Sequence, residues 1–378
     1  MPIAQGMIKS LPDGDLWFGE ATSIARVASA PPHAIEKFAI STPLGVTNDV
    51  AAGPDGNYWF TEIIGNKIGR ISPRPPHEIV EIPLPLGASQ PDSIVAGPDG
   101  HLWFTQWSGQ IGRISPTAPF TIDQYPAPRG GVPREMIAGR DGTLWYANPA
   151  TNAIGRVTPQ PGSAPLIREF PVPTDNARPV ALAEGGDGTI WFTEFLAGAV
   201  GWFDPGTPEV MSELVLPSSA SAPVDITLGL DGDLWISETG TDLIGRVRPG
   251  IARQPPTITE CSVPESPYFL AAGPDGAIWF TTFHDPGIQI GRVSPAVTTA
   301  SSGSAEGTDE GDGAHDSSAD TQSPRAPTSA GRIPPTGGST AGALSLALIA
   351  ACALVRILHR TQLGRHEGED VDVPASSR

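Results

Sequence analysis

Short apolar runs alternate with polar turn clusters along the first three quarters of the chain, and the alternation repeats. Ile94-Val95-Ala96 leads into Gly97-Pro98-Asp99-Gly100, and Leu102-Trp103-Phe104-Thr105 returns. Ser108-Gly109-Gln110 turns again before Ile111-Gly112-Arg113-Ile114, and Phe120 to Tyr125 makes a fourth run that ends at Pro126. Aromatic and β-branched runs bounded by Gly, Pro and Asp predict strands. Proline presets φ at the turn, and glycine takes a left-handed φ without steric cost. Pro126 suits a sheet edge because it lacks the ladder donor. The Asp-Gly-x-φ-Trp core of this unit recurs with Trp17, Trp59, Trp103, Trp145, Trp191, Trp235 and Trp279, spaced by 42 to 46 residues. Four strands per period and seven periods predict an all-β fold, a seven-bladed β-propeller of four-stranded antiparallel blades over residues 1–300. An open solenoid is the rival arrangement, but it can have any number of repeats, whereas seven lies in the range at which propellers close.

The copies differ where strand three is expected. Copy one has Ile24-Ala25-Arg26-Val27 in place of Ile-Gly-Arg-Ile, and copy five reads Val200-Gly201-Trp202-Phe203. Copy seven has only Ala296 to Ala300 as a candidate outer strand, and Pro2 to Gln5 is all that precedes copy one. Either closure of the ring is weak, or a closing strand and an export signal lie upstream of Met1; the second is the expectation, since no signal peptide is visible at the given N-terminus.

Composition changes after Ser301. Residues 301–340 are rich in Ser, Gly, Thr and acids with no apolar neighbours, which predicts a disordered, extended linker. Ala341 to Val355 then carries no charge and is followed by Arg356, His359, Arg360 and Arg365. It is short for a span, but flanking arginines extend it, so 341–358 is expected to be a transmembrane helix and 359–378 a polar cytoplasmic tail. Ile333-Pro334-Pro335-Thr336-Gly337, ahead of that run, resembles a sortase cell-wall sorting signal. The expected location is the cell surface, membrane-anchored or wall-attached, with sortase a possible partner and the propeller outside. The net charge of -18 argues against nucleic acid as a partner. A monomer is expected. The two cysteines, Cys261 and Cys352, lie far apart in sequence and are expected to be unpaired.

Two positions per copy are candidates for a site at the propeller mouth. Three residues after the repeat tryptophan stand Glu20, Glu62, Gln106, Asn148, Glu194, Glu238 and Thr282. Seven residues before the Asp-Gly aspartate, or next to it, stand Asn48, Asp49, Asp92, Arg134, Glu135, Asp225 and Tyr268. If rotational symmetry points them one way, the four carboxylates Glu20, Glu62, Glu194 and Glu238 form an acidic ring able to bind Mg2+ or Ca2+, which prefer oxygen ligands, or a cationic organic group; Glu62, Glu194, Asp225 and Glu238 are the candidate metal ligands. The plainer reading is that these polar residues mark where strands leave the core. The tryptophans read as packing between blades; Trp107 and Trp202 break the period, and Trp107 could flank a ligand mouth. No pair of histidines has metal-ligand spacing, and no nucleophile elbow, P-loop or dinucleotide fingerprint is present.

The stretch Gly53 to Ile71, with Trp59-Phe60-Thr61-Glu62 and Asn66-Lys67-Ile68-Gly69-Arg70, resembles the virginiamycin B lyase (streptogramin lyase) family over residues 6–295. That resemblance implies Mg2+-assisted opening of a cyclic depsipeptide by elimination at the ester bond, with a histidine removing an α-proton. The family pattern Pro-His-Ala-Ile aligns with Pro223-Val224-Asp225-Ile226, and Glu-Pro-His-Gly-Ile with Ser266-Pro267-Tyr268-Phe269-Leu270. Val224 and Tyr268 thus stand where substrate-binding and general-base histidines are implied. Ser266 and Phe283 stand where metal-ligand glutamates are implied, and Glu265 and His284 lie one position away. The expected function is a surface-displayed binding or scaffolding propeller taking a small molecule, peptide or glycan at its mouth. The alternative is a metal-dependent lyase opening a virginiamycin B-type depsipeptide, or another small-molecule lyase or hydrolase.

Overall fold

A computed structural model describes residues 6–85, 89–218, 220–250, 255–284 and 287–295. Of 283–284, 287–288 and 352–360 it describes the backbone alone. Blade one comprises β1 (Ile8–Ser10), β2 (Leu16–Glu20), β3 (Ser23–Val27) and β4 (Ile35–Ala39), and blade two β5 (Thr47–Ala52), β6 (Tyr58–Glu62), β7 (Lys67–Ile71) and β8 (Ile79–Pro83). Blade three holds β9 (Pro91–Ala96), β10 (Leu102–Gln106), β11 (Gln110–Ile114) and β12 (Ile122–Pro126); blade four holds β13 (Met136–Ala138), β14 (Leu144–Asn148), β15 (Ala153–Thr158) and β16 (Leu166–Pro171). Blade five is β17 (Pro179–Glu184), β18 (Ile190–Glu194), β19 (Ala199–Phe203) and β20 (Met211–Val215). Blade six is β21 (Pro223–Leu228), β22 (Leu234–Glu238), β23 (Leu243–Arg248) and β24 (Thr257–Ser262). Blade seven is β25 (Pro267–Ala272), β26 (Ile278–His284), β27 (Gly287–Pro295) and β28 (Cys352–Arg360). Each blade is a four-stranded meander, as the repeat predicts.

The outer strand of blade seven comes from further along the chain than the sequence pattern suggests. β28 runs antiparallel to β27, with Arg292 opposite Arg356 and Val293 opposite Val355. Most of β28 falls within 341–358, the stretch expected to be a transmembrane helix, so Cys352–Arg360 is a strand instead. Its β-branched and aliphatic residues fit an edge ladder as well as an apolar helix, and periodicity cannot separate the two in so short a run. The candidate outer strand 296–300, the linker 301–340, the pentapeptide 333–337, residues 341–351 and most of the 359–378 tail lie outside the described residues. No helix among the described residues is long and apolar enough to cross a membrane. Cys261 is disulfide-bonded, against expectation, since distance along the sequence does not measure distance in a closed ring.

The repeated motif is one packing unit. In five blades the indole N–H donates to the Asp-Gly aspartate: Trp17 to Asp13 (2.9 Å), Trp59 to Asp55 (3.0 Å), Trp103 to Asp99 (2.9 Å), Trp235 to Asp231 (3.3 Å) and Trp279 to Asp275 (3.1 Å). The arginine of the Gly-Arg step lies over the same indole, as Arg70 does over Trp59 at 5.9 Å, and its Nε also donates to Asp55 at 2.7 Å. Cation–π attraction and ion pairing therefore fix one geometry together. In blade five Trp202 replaces that arginine and stacks on Trp191 at 4.8 Å, while the Trp191 N–H turns to Thr189 (2.8 Å). The motif glycine of strand three has its own cause. A Cβ at Gly69 would meet the Phe60 ring at 2.1 Å, because Phe60 lies across it from the neighbouring strand.

The inner strands carry the feature that builds the mouth. In blades two, three, five, six and seven the register between strands one and two slips by one residue, between Thr47 and Val50 for example. Each slip is a β-bulge, which re-aims side chains. The residues it lifts out are 48–49, 92–93, 180–181, 224–225 and 268–269. The hydroxyl two residues after the tryptophan holds each bulge, accepting the N–H of Asp49 on Thr61 (3.0 Å), Ser93 on Thr105 (3.1 Å), Ala181 on Thr193 (3.1 Å), Asp225 on Ser237 (3.0 Å) and Phe269 on Thr281 (3.2 Å). Three of these hydroxyls also donate to the next blade, as Ser237 does to the Tyr268 carbonyl at 2.6 Å. In blades two, five and six one polar side chain thus joins the blade to its neighbour.

Candidate functional site

The positions predicted from the sequence separate into three places. Glu62, Glu194 and Glu238 do not form a ring. Each ends strand two and turns across its own blade toward the outer strand, where it meets Glu81, Glu213 and Glu260 respectively. All three are fully buried, and hydrogen bonds leave both oxygens of Glu62 and Glu194, and Oε1 of Glu238, unsatisfied. Burial first, then the facing carboxylate, raises Glu62 to about 7 and Glu194 and Glu238 to about 8. Around the ring the same seat holds other pairs: Glu20 with Lys37 (2.7 Å), Gln124 donating to Gln106 (2.7 Å), and Asn148 donating to Glu169 (2.9 Å). In blade two Lys67 neutralises the outer partner, donating to Glu81 at 2.8 Å. In blade seven the Thr282 hydroxyl donates to Glu265 (3.2 Å). These are intra-blade seats for a polar pair.

The second place is the channel wall. Asp49 accepts from Ile94 N (3.0 Å), Glu135 from Leu182 N (3.2 Å) and Asp225 from Leu270 N (2.7 Å), so the even blades latch onto the odd ones with a carboxylate. Asp225 also accepts from Ile226 N (2.8 Å), which commits both its oxygens to backbone. Sequence reasoning missed Lys9, whose Nζ reaches across from blade one to Glu135 at 2.9 Å. About a third of its side chain is open to solvent. Burial works against its charge, but Glu135, Asp49 and Asp225 outweigh burial and keep it protonated. Burial raises Asp225, with Glu135 adding to it and Lys9 opposing. Among the described residues no group of three or more His, Cys, Asp or Glu side chains is placed to hold a metal ion. The candidate metal ligands Glu62, Glu194, Asp225 and Glu238 are therefore not brought together, because three of them point into separate blades and the fourth is tied to backbone.

The third place is the mouth itself. Asp92, fully buried, accepts from Asn48 Nδ2 at 3.0 Å and pairs with Arg134 Nε at 3.3 Å. The Arg134 guanidinium lies over Trp107 at 5.2 Å. The Trp107 N–H favours the ionised Asp92 without the alignment of a full hydrogen bond. Burial still raises Asp92, with Arg134 opposing. Tyr268 sits within electrostatic reach of Arg134, Asp92 and Asp225. Burial holds its hydroxyl above the ordinary 10, with Arg134 pulling the other way. Val224 is buried in a cluster with Met7 and Phe269.

The profile of the Virginiamycin B lyase family matches residues 4–264. The chain belongs to the virginiamycin B lyase family. A virginiamycin B lyase of Nocardia farcinica (strain IFM 10152) is 38% identical over 74 residues, which is 20% of this chain and 25% of that protein. A streptogramin B lyase structure aligns with a TM-score of 0.67 at 31% identity, covering 75% of this chain and 92% of that one. The virginiamycin B lyase of Staphylococcus aureus, as a catalytically inactive histidine-to-alanine variant with quinupristin, aligns with a TM-score of 0.65 at 30% identity, covering 76% and 95%.

Val224 has no proton to exchange, and Tyr268 stays protonated at neutral pH. The histidines with described side chains are far from both. His33 faces the Ala28 carbonyl, His77 the Ser72 carbonyl and His101 Asp99, all in turns at the opposite end of their blades. His284 ends β26 at the mouth end of blade seven, level with Gly287. The Mg2+ that the resemblance implies does not fit: the Ser266 hydroxyl is bonded to the Thr239 carbonyl at 2.5 Å, and phenylalanine at 283 offers no ligand atom.

Proposed function

We propose that this member of the family is a binding module that takes a small molecule, peptide or glycan at the mouth, and that it does not carry out the family's elimination. One observation carries the reading. The two positions aligned with the histidines are a buried valine and a protonated tyrosine, so no group there can abstract an α-proton within hydrogen-bond reach. What supports binding is a mouth in which a buried carboxylate, a stacked arginine and two aromatic side chains converge, the mixture of apolar surface and few fixed polar groups that ligand sites use. Display at the cell surface belongs to the same reading and is supported by the acidic linker and the sorting-signal-like Ile333–Gly337; fractionation of the host cell tests it, and a purely soluble pool would count against it. The functional test is incubation of the purified protein with a type B streptogramin and Mg2+. No ring opening above the buffer rate is expected, and opening at enzyme-like rates would refute the proposal.

A further inference from the structure

We propose that the sector of the mouth formed by blades three to five is an anion seat, taking a carboxylate or phosphate borne on an apolar body, with Arg134 and Arg178 as its cationic donors. This deepens the binding-module reading and rests on it.

Arg134 is held rather than free. Its Nε is committed to the buried Asp92, its face lies on Trp107, and Asn48 fixes the carboxylate from the far side. The two terminal nitrogens make no hydrogen bond among the described residues, and about a quarter of the side chain (26%) is open to solvent. A guanidinium anchored by one edge and one face presents its remaining edge in a fixed direction, the arrangement suited to the two oxygens of a carboxylate or phosphate. Little side-chain entropy is left to lose on binding.

Arg178 repeats the design one blade on. It occupies a left-handed conformation (φ 59) at the end of the loop into blade five, and its N–H donates to Asn152 Oδ1 at 2.9 Å. Its guanidinium lies over Phe195 at 5.6 Å and makes no ion pair among the described residues. Leu196, beside Phe195, is 51% exposed, and Trp107, in the turn after β10, is partly exposed. Two stacked arginines and two aromatic rings, Trp107 and Phe195, therefore lie at the same end of blades three to five.

The setting sharpens the inference. The chain as a whole carries a net charge of -18, so its long-range field repels anions. Arginines without acidic partners on their outer edges are out of keeping with that background, and any anion held there must be held by short-range contacts. Structural neutralisation of Asp92 accounts for the Nε of Arg134 alone, and it does not account for Arg178.

Phenyl phosphate and phenylacetate are the probes, with benzyl alcohol and benzylamine as controls, titrated into the full chain by calorimetry and by tryptophan fluorescence. Both anions are expected to bind and the controls not. Arg134→Gln is expected to weaken the anions about tenfold or more, Arg178→Gln about threefold to tenfold, and Arg113→Gln, on the outer face, not at all. Arg178→Gln breaks no bond to a neighbour and keeps the test valid if Arg134→Gln fails to fold. Equal binding of the neutral or cationic controls, anion binding unchanged in Arg178→Gln, or no anion binding up to about 20 mM would each overturn the proposal. Streptogramin opening by the same preparation would sink the binding-module reading instead, whatever the anions do.

Discussion

Glu194→Gln should make the protein more stable in mild alkali. Glu194 and Glu213 face each other inside blade five with no cation beside them among the described residues, the place Lys67 fills in blade two being Ala199 here. Burial, then the Glu213 charge and hydrogen bond, takes Glu194 from the ordinary 4.5 to about 8. A folded-state pKa above the unfolded one means that the stability is fully present below about pH 4.5 and is lost as pH rises through about 8. At about 1.4 kcal/mol per pH unit the full gap is at most roughly 5 kcal/mol. Relaxation of the pair and entry of water on ionisation reduce the effect to roughly 2–3 kcal/mol. Glutamine cannot ionise and can donate to Glu213, as Gln124 donates to Gln106 in blade three. The variant is therefore expected to match the wild type near pH 5 and to exceed it by roughly 2–3 kcal/mol at pH 9, a rise in Tm of about 5 °C or more. Thermal unfolding followed by circular dichroism at half-unit steps from pH 5 to 9.5 measures this. Parallel curves, or a variant less stable than wild type at pH 9, would show that the two carboxylates are not coupled through a shared proton.

Three further outcomes follow from the same geometry. Lys9→Met leaves Glu135 buried without its cation and should cost about 3–5 kcal/mol, read by urea denaturation at pH 7; a cost under about 1 kcal/mol would mean the cross-channel pair is idle. Thr61→Ala removes the acceptor for the Asp49 N–H and the donor to the Asp92 carbonyl, so a loss of about 1–3 kcal/mol is expected, with Ala147 in blade four showing that a blade can be built without the hydroxyl when the inner strand is shortened. A chain ending at residue 300 lacks β28 and should unfold at lower temperature than the full chain; equal Tm values in differential scanning calorimetry would mean that blade seven does not depend on that strand.

The fold could be read from the sequence because its determinants are local and repeated. Asp55, Trp59, Gly69 and Arg70 lie within one period, and each restates its role in the neighbouring copies. Blade seven escaped because its outer strand is separated from β27 by more than fifty residues, and nothing in Cys352–Arg360 distinguishes a strand from an apolar helix. The site was half legible. The positions at 92, 224 and 268 each sit in an inner-strand bulge, whereas 134 precedes the shortened, unbulged inner strand of blade four. The glutamates after the tryptophan were misplaced for a reason the sequence contains: they follow Phe60, Phe192 and Ile236 at a spacing of two, which puts them on the face that crosses strand three toward the outer strand. Lys9 carries no motif signal at all, because its partner Glu135 is three blades away and only ring closure brings them together.

The hydroxyl-held bulges separate two demands that usually compete. At 48, 92, 180, 224 and 268 the ring asks only for a backbone carbonyl and a neighbouring N–H, both supplied by any residue, so Asn, Asp, Val, Val and Tyr stand at equivalent points without altering the blades. The scaffold is thus indifferent to what its mouth displays. A lineage built on it can discard one chemistry and acquire another through a handful of substitutions, each of which leaves the ring as stable as before.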